Sequence, residues 1–264
     1  VLFICRLLGI TQVFRINGPA GIAALGFGTE SIPKVRKVVG PGSPAVTLAQ
    51  VEMQRHGLAT MMLLGPTESL VVADHTAHVG KLASDLLIEA EHGTDSSVVL
   101  VCTSQDIIDA VENELQIQIG DLPANRAEAC RASLGDNGGA ILVTSLTEAI
   151  DVANVYAPEH CQVAVSAQHE EMVVDGIINA GEILIGQHTP FSAGNFVIGV
   201  PASLPTSGFA HVSSGITVNA FLKHTAIAKA NETALRRMAP TVIALSDHEG
   251  FPAHGNAIRR RFPE

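Results

Sequence analysis

The chain has 264 residues, of which 47% are hydrophobic, 4% aromatic and 16% charged, and its net charge is -10 because 26 acidic residues outnumber 16 basic ones. This composition is typical of a globular protein with a sizeable aliphatic core, and the acidic balance argues against nucleic acid as a partner. The longest apolar stretches fall far short of the roughly 20 residues that cross a bilayer, so we expect no membrane association. The cysteines form no CxxC pair, which indicates free thiols in a reducing, cytoplasmic compartment.

Short β-rich runs alternate with helical patterns along the chain. In chain order we predict the end of a helix in the first ten residues, a strand at 12–16, a helix at 20–28, a strand at 34–39, a helix at 44–55, a strand at 70–73, a helix at 77–91, a strand at 98–102, a helix at 105–114, a helical, linker-like stretch to 134, a strand at 139–143, a helix at 146–154, and strands at 162–165 and 182–185. The repeated βα order, with apolar strands that do not alternate, predicts an α/β fold with parallel sheets covered by helices. A segment rich in Pro, Ser and Gly follows at 189–215, and we predict a helical region from there to the end.

Two glycine-bearing turns each follow a predicted strand and precede a predicted helix. They are NGPAG at 17–21 and GPGS at 40–43. Such a turn lets a nucleotide phosphate approach the N–H groups of a helix N-terminus. Any βα unit also needs a turn of this kind, so the pattern alone leaves a nucleotide site and a plain turn both open.

Histidines and carboxylates recur in three short segments. Glu89 and His92 stand three apart near a predicted helix end, a spacing that brings two side chains to one metal ion or to a solvated helix face. Glu159 and His160 follow Pro158 on a turn, where an adjacent carboxylate and imidazole suit acid–base chemistry. The third segment, HEGFPAH at 248–254, adds a carboxylate and two imidazoles.

Six segments occur in an order and spacing that resemble the histidinol dehydrogenase family: GTESIPKV, GPTESLVVAD, EAEHGTDS, YAPEH, LPTSG and EGFPAH. The resemblance covers the chain from Thr11 onward. It implies an enzyme that uses zinc and NAD and oxidises a primary alcohol through an aldehyde to a carboxylate. It also implies two related, incomplete Rossmann-like domains and a homodimer with its active site at the subunit interface.

On this resemblance we divide the chain into a partial nucleotide-binding domain at 1–66, a second Rossmann-like domain with the catalytic and metal residues at 67–203, and a C-terminal helical dimerisation segment at 204–264. The family's earlier N-terminal portion has no counterpart, so we expect the chain to begin inside a folded unit. The YAPEH motif implies that His160 takes the alcohol proton and that Glu159 activates the water that attacks the aldehyde.

The same resemblance places metal ligands on Glu89, His92, Asn195 and His254. The family has Gln at the position of Glu89 and Asp at that of Asn195, so the exchanged residues leave the total ligand charge unchanged. Oxygen and nitrogen donors of this kind suit a divalent ion such as zinc.

Other departures from the family concern the substrate and the nucleotide. Ala202 replaces a substrate-binding His, Thr67 replaces a Ser, and Glu249 matches the carboxylate that binds the substrate amino group. On the nucleotide side, Ala20 stands where the family has Gln and Ser43 where it has Asn. A pocket that lacks a polar partner discriminates against the ligand that needed it.

The segments GPTE, GNFVIGVP and ASLPTSGFA resemble those of relatives that oxidise sulfopropanediol, and we favour this or another small polar alcohol over histidinol. Cationic candidates for a sulfonate are Arg36, Lys37, Lys223 and His224. Two alternatives stay open: a histidinol dehydrogenase of histidine biosynthesis, and a truncated, catalytically silent member of the family.

Overall fold

The computed structural model describes residues 1–61, 65–201 and 203–262. The chain divides into two compact units, Val1–Phe221 and Leu222–Glu264. No helix in the described ranges is long and apolar enough to cross a membrane. The predicted boundaries 1–66, 67–203 and 204–264 stay predictions.

Helices and strands alternate through most of the first unit. Its elements are α1 (Leu2–Leu7), α2 (Gly18–Phe27), α3 (Pro44–Gln54), β1 (Glu68–Ala73), α4 (Val79–Ala90), β2 (Ser97–Cys102), α5 (Gln105–Gly120), α6 (Ala124–Gly135), β3 (Gly139–Leu142), α7 (Leu146–Tyr156), β4 (His160–Ala164), α8 (Ala167–Gly176), β5 (Glu182–Ile185) and α9 (Phe191–Phe196). The second unit contains α10 (Glu232–His248) and α11 (Pro252–Arg259).

The described strands form a five-stranded parallel sheet in the order β3-β2-β1-β4-β5. Alternate strand residues enter two cores: Val71 and Leu100 pack with α4, α5 and α6, whereas Val72 and Val163 pack with α7 and α8. Because both faces of the central strands β1 and β2 are covered, these strands are apolar without alternation, whereas the edge strand β3 is mostly exposed. The α/β class with a parallel sheet is confirmed.

The segments 12–16 and 34–39 are not strands, which corrects two of the predicted elements. Residues 12–16 have no ladder partner, and 34–39 makes only an isolated parallel bridge, in which Lys37 pairs with Ala59. A β-rich run needs a neighbouring strand to form a ladder, and the described residues near these segments supply none. Instead α2 and α3 pack on each other around a small core of Ile22, Met53 and Leu58.

Further differences lie between and after the strands. The structure adds α8 and α9, which the apolar pattern did not predict. The C-terminal region is not continuously helical, because the described chain from 222 to 230 has no helix. There α10 begins only after Asn231, whose Oδ1 accepts a hydrogen bond from the Ala234 N–H at 2.8 Å.

Candidate active site

The candidate site lies at the amino ends of the parallel strands. His160 and Glu182 are the first residues of β4 and β5 and are register partners. A helix that connects parallel strands must run back against them, so the last turn of α4 brings Glu89 to this edge and α9 brings Asn195. Open α/β sheets usually bind ligands at the carboxyl ends of their strands, so this site occupies the opposite edge.

A cavity of about 340 Å³ opens at this edge. It brings together six of the predicted site residues, Thr67, Glu89, His92, Glu159, His160 and Asn195. Its remaining described lining residues are Ile88, Glu91, Ser192 and Phe196. The described lining therefore contains carboxylates and imidazoles but no Lys or Arg, which favours a cation in the cavity.

His160 is buried and held on several sides. Its Nδ1 lies 2.5 Å from Glu182 Oε1, while its Nε2 lies 3.7 Å from Glu159 Oε1 and 3.9 Å from Glu89 Oε2. The ring of Phe191 packs edge-on against the imidazole, with centroids 5.7 Å apart. Burial opposes the charged imidazolium, but the hydrogen bond to Glu182 and the nearby carboxylates outweigh burial and raise the pKa of His160.

Glu159 reaches the cavity from a constrained turn. Helix α7 ends at Tyr156 and is capped by Ala157, whose φ of 51° is left-handed, and Pro158 then directs the chain into β4. Glu159 Oε2 accepts a hydrogen bond from the Glu68 N–H at 3.2 Å. Burial raises the pKa of Glu159 to about 7, which suits a group that exchanges protons near neutral pH.

Glu89, Asn195 and His92 form the part of the site where the metal was predicted. Asn195 Nδ2 donates to Glu89 Oε1 at 2.8 Å, and His92 Nδ1 lies 3.3 Å from Glu89 Oε2. Within the described ranges no three His, Cys, Asp or Glu side chains are already arranged as a metal cluster. The donors nevertheless fit a divalent ion, because they are oxygens and nitrogens in a cavity with surplus negative charge.

The two glycine turns converge on a small cleft of about 160 Å³. Asn17, Gly18, Gly40 and Pro41 line it, at the N-termini of α2 and α3. Gly18 and Gly40 have φ values of 72° and 138°, and a Cβ at either position would meet nothing within 4 Å. Neither helix has an acidic residue in its first turn, so no carboxylate there opposes the approach of an anion to the backbone N–H groups.

Several predicted site residues lie elsewhere. Ala20 and Ser43 are exposed and do not line the small cleft. Glu249 follows α10 and His254 lies in α11, both in the second unit and both exposed. Ala202 lies outside the described residues. The roles of these five residues stay predictions.

Glu182 and Glu68 are site residues that the sequence reasoning missed. Glu182 opens the short strand EILI, whose other residues are apolar, and Glu68 opens ESLVVA. A carboxylate at the start of a buried strand is a usable signal, because burial of such a group requires a partner. The partner itself could not be read from the sequence.

Comparison with known proteins gives a consistent result. The family model described as histidinol dehydrogenase matches residues 1–262. The chain is 38% identical to the histidinol dehydrogenase of Methanosarcina mazei over 97% of its own length, and 40% identical to that of Synechocystis over 97%. The crystal structure of histidinol dehydrogenase from Elizabethkingia anophelis is 34% identical, with a TM-score of 0.94 over 98% of this chain.

The match covers only part of these proteins. The chain spans 58% of the two curated relatives and 59% of the crystallised chain. The family model and the crystallised relative both match nearly all of this chain. The chain belongs to the histidinol dehydrogenase family.

Proposed function

We propose that this chain is an NAD- and zinc-dependent oxidoreductase that converts a small polar primary alcohol through an aldehyde to a carboxylate. The observation that carries the proposal is the position of His160 Nε2 in the cavity, within 4 Å of both Glu159 and the candidate metal ligand Glu89. Membership of the family supports the reaction class.

Glu89, His92 and Asn195, which line one cavity, would hold zinc, and the resemblance to the family implies His254 as a further ligand. When bound, zinc supplies a positive charge that polarises the substrate oxygen, and NAD supplies the hydride acceptor. The glycine turns at Gly18 and Gly40 would bind the dinucleotide phosphates.

The protein's own residues handle the protons. In the first oxidation, His160 Nε2 accepts the hydroxyl proton of the alcohol as the hydride departs from the carbon that bears this hydroxyl group. In the second, a water attacks the aldehyde carbon, and Glu159 accepts the proton that this water loses. A carboxyl group with a pKa near 7 can accept that proton and release it again. The hydrated carbon then loses its own hydride, for which a second NAD is the acceptor, and one hydroxyl proton, which leaves the carboxylate.

The substrate is the finer part of the proposal. Replacement of the family's substrate-binding His by Ala202 supports a substrate other than histidinol, and the resemblance to the sulfopropanediol branch favours a sulfonated diol. Because the described lining of the cavity has no Lys or Arg, a sulfonate would need cations from outside it. Arg36, Lys37, Lys223 and His224 are the proposed candidates.

Histidinol is the second candidate. The acidic lining of the cavity suits a substrate that carries an amino group, and Glu249 is retained. The relatives at 38–40% identity are named histidinol dehydrogenases.

We also propose that the active form is a homodimer whose subunit interface completes the site. Phe196 and Val197, which follow the candidate ligand Asn195, are each 82% exposed. Large apolar side chains beside a polar cavity support a protein surface as their cover.

The test measures bound zinc and NADH formation with sulfopropanediol and with histidinol. We expect turnover on at least one alcohol and a loss of about 10²–10⁴-fold in His160→Asn, the usual contribution of a general base. Glu148→Gln, a change at an exposed carboxylate on α7, should leave turnover unchanged. Metal-free protein with no turnover on either alcohol would support the catalytically silent alternative and refute the proposal.

A further inference from the structure

The shortest polar contact of His160 involves Nδ1, whereas Nε2 is the ring nitrogen that we propose accepts the substrate proton. Glu182 Oε1 lies 2.5 Å from Nδ1, whereas the carboxylates of the cavity lie nearer Nε2, at 3.7 and 3.9 Å. The Glu182 side chain is only 3% exposed and does not line the cavity. It therefore contacts the proposed base without reaching the substrate.

The backbone fixes Glu182 in this place. The Glu182 N–H donates to the Glu159 carbonyl at 3.1 Å, and the Gly181 N–H donates to the Pro158 carbonyl at 2.9 Å. These bonds set the register in which His160 and Glu182 are partners on adjacent parallel strands. The same bonds tie Glu182 to the turn that carries Glu159.

The neighbouring helix leaves room for the carboxylate. A Cβ at Gly194 of α9 would stand 3.2 Å from both Glu182 oxygens, closer than ordinary van der Waals contact. Glycine at this position lets α9 approach while the Glu182 side chain keeps its bond to His160.

Burial of the Glu182 carboxylate is unfavourable for stability, and an apolar residue could pack at this position without that cost. Its Oε2 has no hydrogen-bond partner among the described residues, so the carboxylate has His160 as its single side-chain partner. A buried ion pair with an unsatisfied oxygen is often no more stable than an apolar replacement. The other residues of β5 are apolar, so an apolar residue would fit the strand pattern.

We propose that Glu182 is a positioning residue for His160: by accepting a hydrogen bond from the Nδ1–H group, it fixes the ring and its tautomer, so that the Nε2 lone pair faces the cavity. A neutral imidazole carries one proton, and the nitrogen beside a carboxylate acceptor holds it. Nε2 is then free to accept a proton from a substrate hydroxyl. This inference rests on the proposed function for its catalytic consequence, but the tautomer itself is independent of activity.

The direct test is the ring-nitrogen NMR spectrum of histidine-labelled protein, at a pH where the His160 ring is neutral, with His160→Asn used to assign the signals. We expect protonated Nδ1 and unprotonated Nε2 in the wild type. Since an amide can donate to Nδ1, Glu182→Gln should shift the population towards protonated Nε2. A wild-type ring protonated at Nε2 would overturn the proposal even if the variant did not fold.

Turnover supplies the second readout. We expect Glu182→Gln to lower kcat by about 10–100-fold, the range found for hydrogen-bond partners of metal-bound histidines, with KM and zinc content close to wild type. The matched control is Asp85→Asn, a buried carboxylate that contacts Gln162 Nε2 at 2.7 Å instead of an imidazole. It should change neither the His160 tautomer nor kcat.

The outcomes separate the two proposals. A tautomer and a kcat both unchanged in Glu182→Gln would refute the positioning role and leave the proposed function standing. A wild type without turnover on either alcohol would refute the function, while the predicted tautomer shift would still support the contact. A fall in kcat with the tautomer unchanged would also refute the positioning role, because the loss would then have a merely structural origin.

Discussion

Asn195 and Glu89 form a hydrogen bond between two helices of the site, with Nδ2 of the amide 2.8 Å from Oε1 of the carboxylate. Asn195 lies in α9, and the 1% exposed side chain of Glu89 lies in the last turn of α4. The resemblance to the family implies the reverse chemical order at these positions, an amide on α4 and a carboxylate on α9. The pair is therefore a hydrogen bond whose donor and acceptor have changed places.

The first prediction concerns single and double exchanges of this pair. Asn195→Asp alone removes the donor and sets two carboxylates against each other, so we expect the metal-free protein to lose about 1–3 kcal/mol of unfolding free energy. Adding Glu89→Gln restores a donor and an acceptor, and the double variant should recover most of that loss. Urea unfolding of the four proteins measures the coupling. Additive costs would contradict it.

Bound zinc should turn the unfavourable effect of Asn195→Asp on stability into a favourable one. The additional carboxylate repels Glu89 in the metal-free state but becomes an anionic ligand for a cation. Zinc should therefore stabilise this variant more than it stabilises the wild type, which thermal unfolding with and without zinc would detect. If zinc stabilised both equally, Asn195 would not lie at the metal.

The second prediction is a pH dependence of stability at Glu159. The pKa of Glu159 rises from 4.5 to about 7 in the fold, because the fold favours the protonated carboxyl group. The stability that this group contributes is fully present below pH 4.5 and is lost as the pH rises through about 7. A shift of this size corresponds to about 3 kcal/mol. In metal-free protein, Glu159→Gln should be more stable than the wild type at about pH 8 and similar at about pH 4. Chemical unfolding across that range measures the difference.

Glu148→Gln is the control of opposite sign. Hydrogen bonds from the backbone N–H and the hydroxyl of Thr144 lower the pKa of Glu148. The stability that the ionised Glu148 contributes is therefore present above pH 4.5 and is lost as the pH falls through the lowered pKa. This variant should lose stability at neutral pH and match the wild type in acid. Parallel pH profiles for the two variants would show that burial of Glu159 does not control its titration.

The sequence predicted the parts of the site that depend on local patterns. The helix that carries Glu89, and the turn after Pro158 that carries Glu159 and His160, follow from apolar periodicity and a helix-ending proline. The contact of His160 with Glu182 could not be predicted, because it depends on the register of two strands whose partners are 22 residues apart. A one-residue slip would turn Glu182 to the opposite face.

The errors have the same origin. The runs at 12–16 and 34–39 have strand composition, but a strand forms only where another strand supplies its hydrogen bonds. Helix α8 was missed for the opposite reason, because only Val173 of its ten residues is buried and its apolar pattern is weak. Tertiary contacts determine whether these segments form strands or a helix, and such contacts cannot be inferred from local composition.

The third prediction concerns Phe191, which packs against the His160 ring and is fully buried. Phe191→Ala should cost about 3–5 kcal/mol through lost burial and a new cavity, whereas Phe191→Leu, which removes fewer buried atoms, should cost less than Phe191→Ala. The control is Ile117→Ala in α5, a 63% exposed side chain that lies outside the cavity and the proposed subunit interface, which should stay within about 0.5 kcal/mol of the wild type. Equal costs at the two positions would contradict the packing of α9 against the sheet.

The fourth prediction compares two glycines three residues apart. At Gly138, just before β3, a Cβ would meet the Val98 carbonyl oxygen and stand 2.6 Å from the Ser133 carbonyl oxygen. Both contacts are with backbone, which cannot move aside as a flexible side chain can. Gly138→Ala must therefore displace β3 from β2, at a cost of at least about 1–3 kcal/mol.

Gly135, the last residue of α6, supplies the contrast. A Cβ there would meet nothing within 4 Å, and alanine restricts the unfolded chain more than glycine does. Gly135→Ala should therefore stabilise the protein by about 0.4–1 kcal/mol. Thermal unfolding of the two variants should move in opposite directions from the wild type. A Gly138→Ala protein as stable as the wild type would mean that β3 does not approach β2 as closely as the Val98–Gly138 contact requires.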